Sequence, residues 1–369
     1  MTNSLSDLTL VVPAYNRPAY LERQIDYWAG TGVQLCILDG SKEKASDELI
    51  ARMGNDVHYE YMPIGFNDRL LHASQIVKTR YVALLGDDEL YSKQGLQDCI
   101  ETLEIDSRLI GCVGRSLFFY HREDEIYGYQ VYEKSQDIAD MYGGNLQRLR
   151  RSFPEGDPSR APYLLYGVFR REQWVTMFNT SYSRHFSSGY VYELALMMIG
   201  ASLGPTKMVE SLVWLRSGEN PAMSSTAVNR TIGAGEWGTS SEFAEEYEDF
   251  VLRVTSAIEK GIDASRKDIE ETVRDVSRQF VAYSLHKPHR PIAYWHRALY
   301  FVARKTPRWA KTLLKRNMTK TLGTVLDYKG VVFNDALEDL KQNGVSFSYE
   351  EMMETRSFLL DFHSQLKSD

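Results

Sequence analysis

The first 120 residues alternate between two hydrophobic periods. Leu8 to Val12 is an unbroken apolar run of the kind a strand buried on both faces requires, and it stops at Pro13. Arg17-Pro18 then opens a helix with proline in its first turn, and Leu21, Ile25 and Trp28 fall on one face before Gly30 and Gly32 end it. The same alternation continues with strands at Val33–Leu38, Val57–Met62, Tyr81–Leu85 and Leu109–Phe119. Between them the spacing predicts helices from Ser46, over Phe66–Thr79 and over Gln94–Leu103. Strand–helix alternation with short connections predicts an α/β fold, a mostly parallel sheet with helices on both faces. Ligands of such sheets collect at the carboxyl ends of the strands. Three polar clusters sit there: Ala14-Tyr15-Asn16-Arg17, Asp39-Gly40-Ser41 and Asp87-Asp88-Glu89.

Beyond residue 120 the pattern loosens. Glu123–Gln136 is acidic and tyrosine-rich, and Phe153–Pro162 reads as a loop. Leu164–Arg170 and Val209–Leu215 read as strands, and Gly189–Ile199 as a helix that is apolar nearly all round. Ser217–Ser241, rich in Gly, Ser, Thr and Asn, is expected to be a mobile loop, and from there the pattern is helical to the end. The division expected is a ligand-binding half over 1–120, a second half over 121–240, and a helical C-terminal domain over 241–369.

Composition narrows the class. Among 369 residues, 12% are aromatic and 25% charged, values of a folded chain rather than a disordered one. Cys36, Cys99 and Cys112 are too few, and too irregularly spaced, for a disulfide framework, which points to a reducing compartment. The start has no basic segment before its apolar run, and no stretch approaches 18 apolar residues, so neither a signal peptide nor a membrane span is expected. The net charge of −7 conceals a split. Residues 276–326 hold 11 Lys and Arg and no acid, leaving 32 basic against 50 acidic residues elsewhere, a balance of −18. This basic, tryptophan-containing segment fits either peripheral contact with an anionic membrane or a bundle packed on the acidic remainder. No nucleic-acid motif accompanies the charge.

Adjacent carboxylates at a strand end repel, and either a hard divalent cation or solvent relieves them. Asp87-Asp88-Glu89 therefore reads equally as a metal and diphosphate site or as a solvated helix start. Asp39 fits acceptance from a base or ribose, and also a plain Asp-Gly turn. Arg17 and Arg69 could meet phosphate or a base carbonyl, or be ordinary surface charges. His72 and His185 have no partner at ligand spacing, so no zinc site is expected.

VVPAYNRPAYLERQI, ILDGS and RLLHASQIVKTRYVALLGDDEL, in that order, resemble the nucleotide-binding half of family 2 glycosyltransferases of the GT-A fold. The resemblance is good over residues 8–120, loose over 160–220, and absent from the C-terminal third. It implies inverting transfer from a nucleotide sugar, UDP-linked first, to a hydroxyl of a glycan or lipid-linked acceptor, with Mn²⁺ or Mg²⁺, in the cytoplasm or at the inner membrane face. Pro13, Ala14, Tyr15 and Asn16, with Arg17 beside them, would line the nucleotide, Asp39 and Arg69 would contact the base, and Asp87 would act at the ribose. The metal would fall to Asp88, or to Glu89 in a shifted register, because the family's D-x-D spacing is missing. The general base would be Glu193, although the family's Glu-Asp pair is not present. Arg216 and Asn220, in RSGEN, stand where relatives touch diphosphate, metal or acceptor. A sugar nucleotidyltransferase would need a glycine-rich phosphate loop after the first strand, and VVPAYNRP has no glycine. A non-catalytic nucleotide-sugar scaffold is the remaining alternative.

Overall fold

Every residue of β1 (Leu8–Ala14) is buried, as a strand covered on both faces must be. In the computed structural model, which describes residues 4–133, 144–151, 163–220, 232–259, 261–286 and 330–367, β1 is the centre of a parallel block. Its neighbours are β2 (Gln34–Asp39) on one side and β4 (Tyr81–Leu84) on the other, with β3 (Val57–Tyr61) beyond β2. Chain order thus reverses between β1 and β4, the place where an open α/β sheet forms its binding crevice. Past β4 the sheet becomes mixed. The short strand β8 (Val168–Arg170) runs antiparallel between β4 and the long β6 (Gly111–Arg122), and β9 (Thr206–Ser217) pairs parallel with β6. β5 (Leu90–Tyr91) pairs with β9, and β7 (Glu125–Val131) and β10 (Val331–Val332) extend the far edge.

Alternate residues of β1 feed two separate cores. Leu8, Leu10 and Val12 join one with Leu35, Ile37 and Ala83, while Val11 joins the other with Cys36, Leu38 and Val82. The first face is covered by α1 (Pro18–Trp28), α2 (Asp47–Ala51) and α4 (Lys93–Ile105). The second is covered by α3 (Phe66–Ile76), α6 (Arg171–Tyr182) and α7 (Gly189–Leu203), and the short α5 (Asn145–Arg151) packs on α7. α7 is buried almost all round, as its composition requires; α9 (Ala244–Glu259) packs over it, and α10 (Arg266–His286) packs on α9 and α5. The three cysteines are buried thiols.

Three features go beyond the sequence reading. Glu123-Asp124 is a two-residue hairpin turn with both residues at positive φ (53° and 61°), joining β6 to β7. Within Ser217–Ser241, Ala234–Thr239 form α8, with Trp237 buried against α9. Finally, the C-terminal helices pack on both faces of the sheet. α9 and α10 belong to the second core, whereas α11 (Phe333–Gln342) and α12 (Tyr349–Leu366) return to the first, through Phe333, Leu337, Leu340, Met352 and Leu359. The cause is apolar spacing: α11 and α12 each carry a stripe that only the uncovered part of the first face can bury. Of the basic segment 276–326, residues 276–286 lie in α10 and the rest lies outside the described residues. No helix among the described residues is long and apolar enough to cross a membrane.

Candidate active site

The chain leaving β1 turns sharply at Asn16, whose φ of 53° is tolerated by a short polar side chain. Asn16 spends both its polar ends on the neighbouring strand end: its N–H donates to Ser41 Oγ at 2.7 Å, and its Oδ1 accepts from the Lys42 N–H at 2.9 Å. Arg69, on α3, lies beneath the pair. Its guanidinium donates to the carbonyls of Ala14 (2.5 Å) and Leu38 (2.8 Å), tying the ends of β1 and β2 together. A side chain at Gly40 would meet this guanidinium at 2.5 Å, which accounts for the glycine after Asp39. Asp39 is buried, with Oδ1 accepting from the Ser41 N–H and Oδ2 from the Tyr59 hydroxyl at 2.8 Å. Arg69 and Asp39 thus form the floor of the crevice instead of lining its open side, while Tyr15 is exposed above them.

The acidic turn after β4 gives three adjacent carboxylates three different surroundings. Asp87 accepts from the Tyr15 N–H (3.2 Å) and from Arg17 Nη1 (2.7 Å), which joins the β1 and β4 turns directly. Burial raises its carboxyl to about 6, with Asp88 adding to the rise and Arg17 and the Tyr15 N–H opposing it. Asp88 is the more open of the pair; its Oδ2 lies 3.3 Å from Arg17 and accepts from Asn220 Nδ2 at 3.0 Å. Glu89 turns inward. It is 7% exposed, accepts from Trp214 Nε1 at 3.1 Å, and burial, reinforced by Asp88, pushes its carboxyl up to about 8. Glu89, buried and hydrogen-bonded to the Trp214 indole, is less open to a cation than Asp88.

Gln24, which the sequence reading passed over, holds the turn from behind. Its amide donates to the carbonyls of Asp87 (3.0 Å) and Glu89 (2.6 Å), and its own oxygen accepts from Trp28 Nε1. The signal was available, since Gln24 interrupts the apolar stripe of Leu21, Ile25 and Trp28 with a polar residue. Arg23 beside it donates to the Asp88 carbonyl at 2.6 Å and pairs with Glu219 at 2.7 Å. That partner lies nearly two hundred residues away, beyond the reach of local pattern.

In the second half of the fold, Glu193 stands in the first turns of α7, half-buried. Burial raises its carboxyl above the ordinary glutamate value, opposed by a hydrogen bond from Tyr163 and the charge of Arg216. Tyr132, Tyr163, Tyr166 and Trp214 stack beside it, with Tyr166 and Trp214 rings 4.0 Å apart at 15°. Arg216 lies in this cluster, its Nη1 donating to the Tyr132 hydroxyl at 2.8 Å and its guanidinium 5.8 Å from the Trp214 ring. Of the pair expected at the diphosphate, Asn220 therefore reaches the acidic turn, while Arg216 lies between the fields of Glu89 and Glu193.

A sheet in the order β3-β2-β1-β4, with an acidic turn leaving β4 and a locked turn after β1, has the architecture of the GT-A fold. Residues 9–162 match the family model described as Glycosyl transferase family 2. That stretch, 154 of the 369 residues, is similar to family 2 glycosyltransferases. No curated protein matches the sequence. Among solved structures, S. aureus TarS 1-349 in complex with UDP-GlcNAc is similar at 10% identity and a TM-score of 0.44, covering 83% of each chain. The same S. aureus protein in complex with UDP is 8% identical, with a TM-score of 0.43, covering 91% of this chain and 89% of that one.

Among the described residues, no three His, Cys, Asp or Glu side chains converge as a metal cage. Two adjacent hard carboxylates are the donor set for a magnesium- or manganese-type ion whose other positions come from phosphate and water. Asp87 and Asp88 fit that kind of site. They do not fit a closed structural one.

Proposed function

We propose that the chain transfers a sugar from a nucleoside diphosphate donor to a hydroxyl of a glycan or lipid-linked acceptor, with inversion, and that Glu193 is the general base. The observation that supports this reading is the presence of two differently tuned acidic centres. Asp87 and Asp88 lie beside Arg17 at the β1 and β4 turns, and Glu193 is desolvated beside Tyr163 and Arg216. Separated carboxylates with different environments are the pattern of divided acid–base and charge-stabilising roles.

In the proposed reaction the acceptor oxygen forms a bond to the anomeric carbon as the bond from that carbon to the diphosphate oxygen breaks. The acceptor proton passes to Glu193, whose basicity is raised by its half-buried surroundings. Arg17, held by Asp87, faces the developing charge on the diphosphate. Asp88, with Asp87 beside it, would hold a divalent ion, which when bound supplies neutralisation of the leaving diphosphate. The Asn16–Ser41 lock and the Arg69 bridge fix the floor on which the nucleoside lies. The stacked Tyr132, Tyr163, Tyr166 and Trp214 form an aromatic wall beside Glu193.

Glu193→Gln keeps the size and polarity of the side chain but cannot take a proton. Its transfer rate is expected to fall by roughly 10²–10⁴-fold, while donor binding, measured calorimetrically with the donor that wild type turns over, stays within about threefold. Turnover at the wild-type rate would remove Glu193 from the mechanism.

A further inference from the structure

We infer that the C-terminal helix α12 sets the position of the acidic turn, and that His363 and Glu219 are positioning residues for Asp88. This rests on the reading of Asp88 as the residue facing metal and diphosphate. Besides its ion pair with Arg17, Asp88 is held at two points. Arg23 Nη2 donates to its backbone carbonyl at 2.6 Å, and Asn220 Nδ2 donates to its carboxylate at 3.0 Å. Both holds depend on Glu219. Its Oε2 pairs with Arg23 at 2.7 Å, and Asn220 is the next residue along the chain. The Arg23 and Glu219 side chains are 0% and 2% exposed, so neither is screened by water.

The other carboxylate oxygen of Glu219, Oε1, accepts from His363 Nε2 on α12. The imidazole is fixed in its plane by stacking on His121 of β6, with centroids 4.0 Å apart. Phe362, its neighbour, packs against Tyr20 and under the Arg23 guanidinium. Three elements distant in sequence, α1, the end of β9 and α12, therefore converge on one buried carboxylate. Buried ion pairs contribute little net stability but leave a large penalty when one partner is removed. Without a donor from His363, Oε1 is left unsatisfied on a carboxylate already paired with Arg23, whose Nε is buried and has no hydrogen-bond partner among the described residues. The carboxylate would then turn to Nε and pull the guanidinium away from the Asp88 carbonyl. Residues one contact removed from a metal ligand commonly change metal affinity 10–100-fold by this route.

The test uses the full-length protein and the nucleoside diphosphate (UDP, GDP or dTDP) that gives wild type the largest Mn²⁺-dependent thermal shift. The Mn²⁺ concentration giving half of that shift is compared for wild type, His363→Gln, His363→Asn and Asp88→Asn. Glutamine places an N–H where Nε2 stands, whereas asparagine is too short to reach Oε1. His363→Gln is expected within about threefold of wild type and His363→Asn at least about tenfold weaker, each shift being taken from that variant's own melting temperature without ligand. Equal Mn²⁺ dependence of the Gln and Asn variants would overturn the relay while leaving the reading of Asp88 intact. Retention of the Mn²⁺ response by Asp88→Asn would instead overturn the site reading, and the relay with it.

Discussion

Asp87, Asp88 and Glu89 follow one another in the chain, yet one is clamped by Arg17, one is open, and one is buried against Trp214. Their sequence marks the place but not this division, which depends on an indole more than a hundred positions away. Glu89 makes a pH test of it. Its folded-state carboxyl, at about 8 against an ordinary 4.5, binds a proton that the unfolded chain has lost between those values. Its contribution to stability therefore falls as pH rises through that window, and the fall is complete above about pH 8. Glu89→Gln retains an acceptor for Trp214 and does not ionise. Relative to wild type, its melting temperature should be higher at pH 9 than at pH 5, with Mn²⁺-dependent nucleotide binding kept. A variant whose melting temperature tracks wild type across the range would show that Glu89 is not buried as a neutral acid.

At the scale of elements, the strands and helices of the first half were legible because their apolar periods are clean, and Ser46 caps α2 as read. The β6–β7 hairpin was not, because its turn uses Glu123-Asp124 at positive φ without the Asn-Gly or Asp-Gly pair that usually announces such a turn. Nor was the capping of α4. Its N-terminal N–H groups at Lys93 and Gln94 are taken by Glu351, from α12, with Ser92 as the local cap. A carboxylate at that end also matches the helix dipole. Glu351→Ala should cost about 1–2 kcal/mol in denaturant unfolding, the usual scale of a lost cap. A change within 0.5 kcal/mol of zero, the ordinary range for a surface substitution, would mean that Ser92 suffices.

For the whole molecule, the chain begins and ends in one core. Leu8 and Leu10 share a cluster with Phe333, Leu340 and Leu359, and β10 pairs with β7 at the sheet edge. Divided by charge, the sequence suggested an acidic catalytic part and a basic helical appendage; long-range packing, which charge does not encode, puts α11 and α12 against the catalytic sheet. Ending the chain after residue 329 should therefore give a protein that elutes as aggregate and melts without cooperativity. A soluble truncated chain with a sharp transition would show that α11 and α12 are dispensable to the core.

We propose that the crevice at the ends of β1, β2 and β4 holds a nucleoside diphosphate through Asp88. Thermal shift of wild type and Asp88→Ala against UDP, GDP, dTDP and CMP, each with and without Mn²⁺, decides this. At least one diphosphate is expected to stabilise wild type in a Mn²⁺-dependent manner, CMP less so, and Asp88→Ala to fold but lose the Mn²⁺ dependence. A wild-type protein indifferent to every nucleotide, or an Asp88→Ala variant that responds as wild type does, would contradict it.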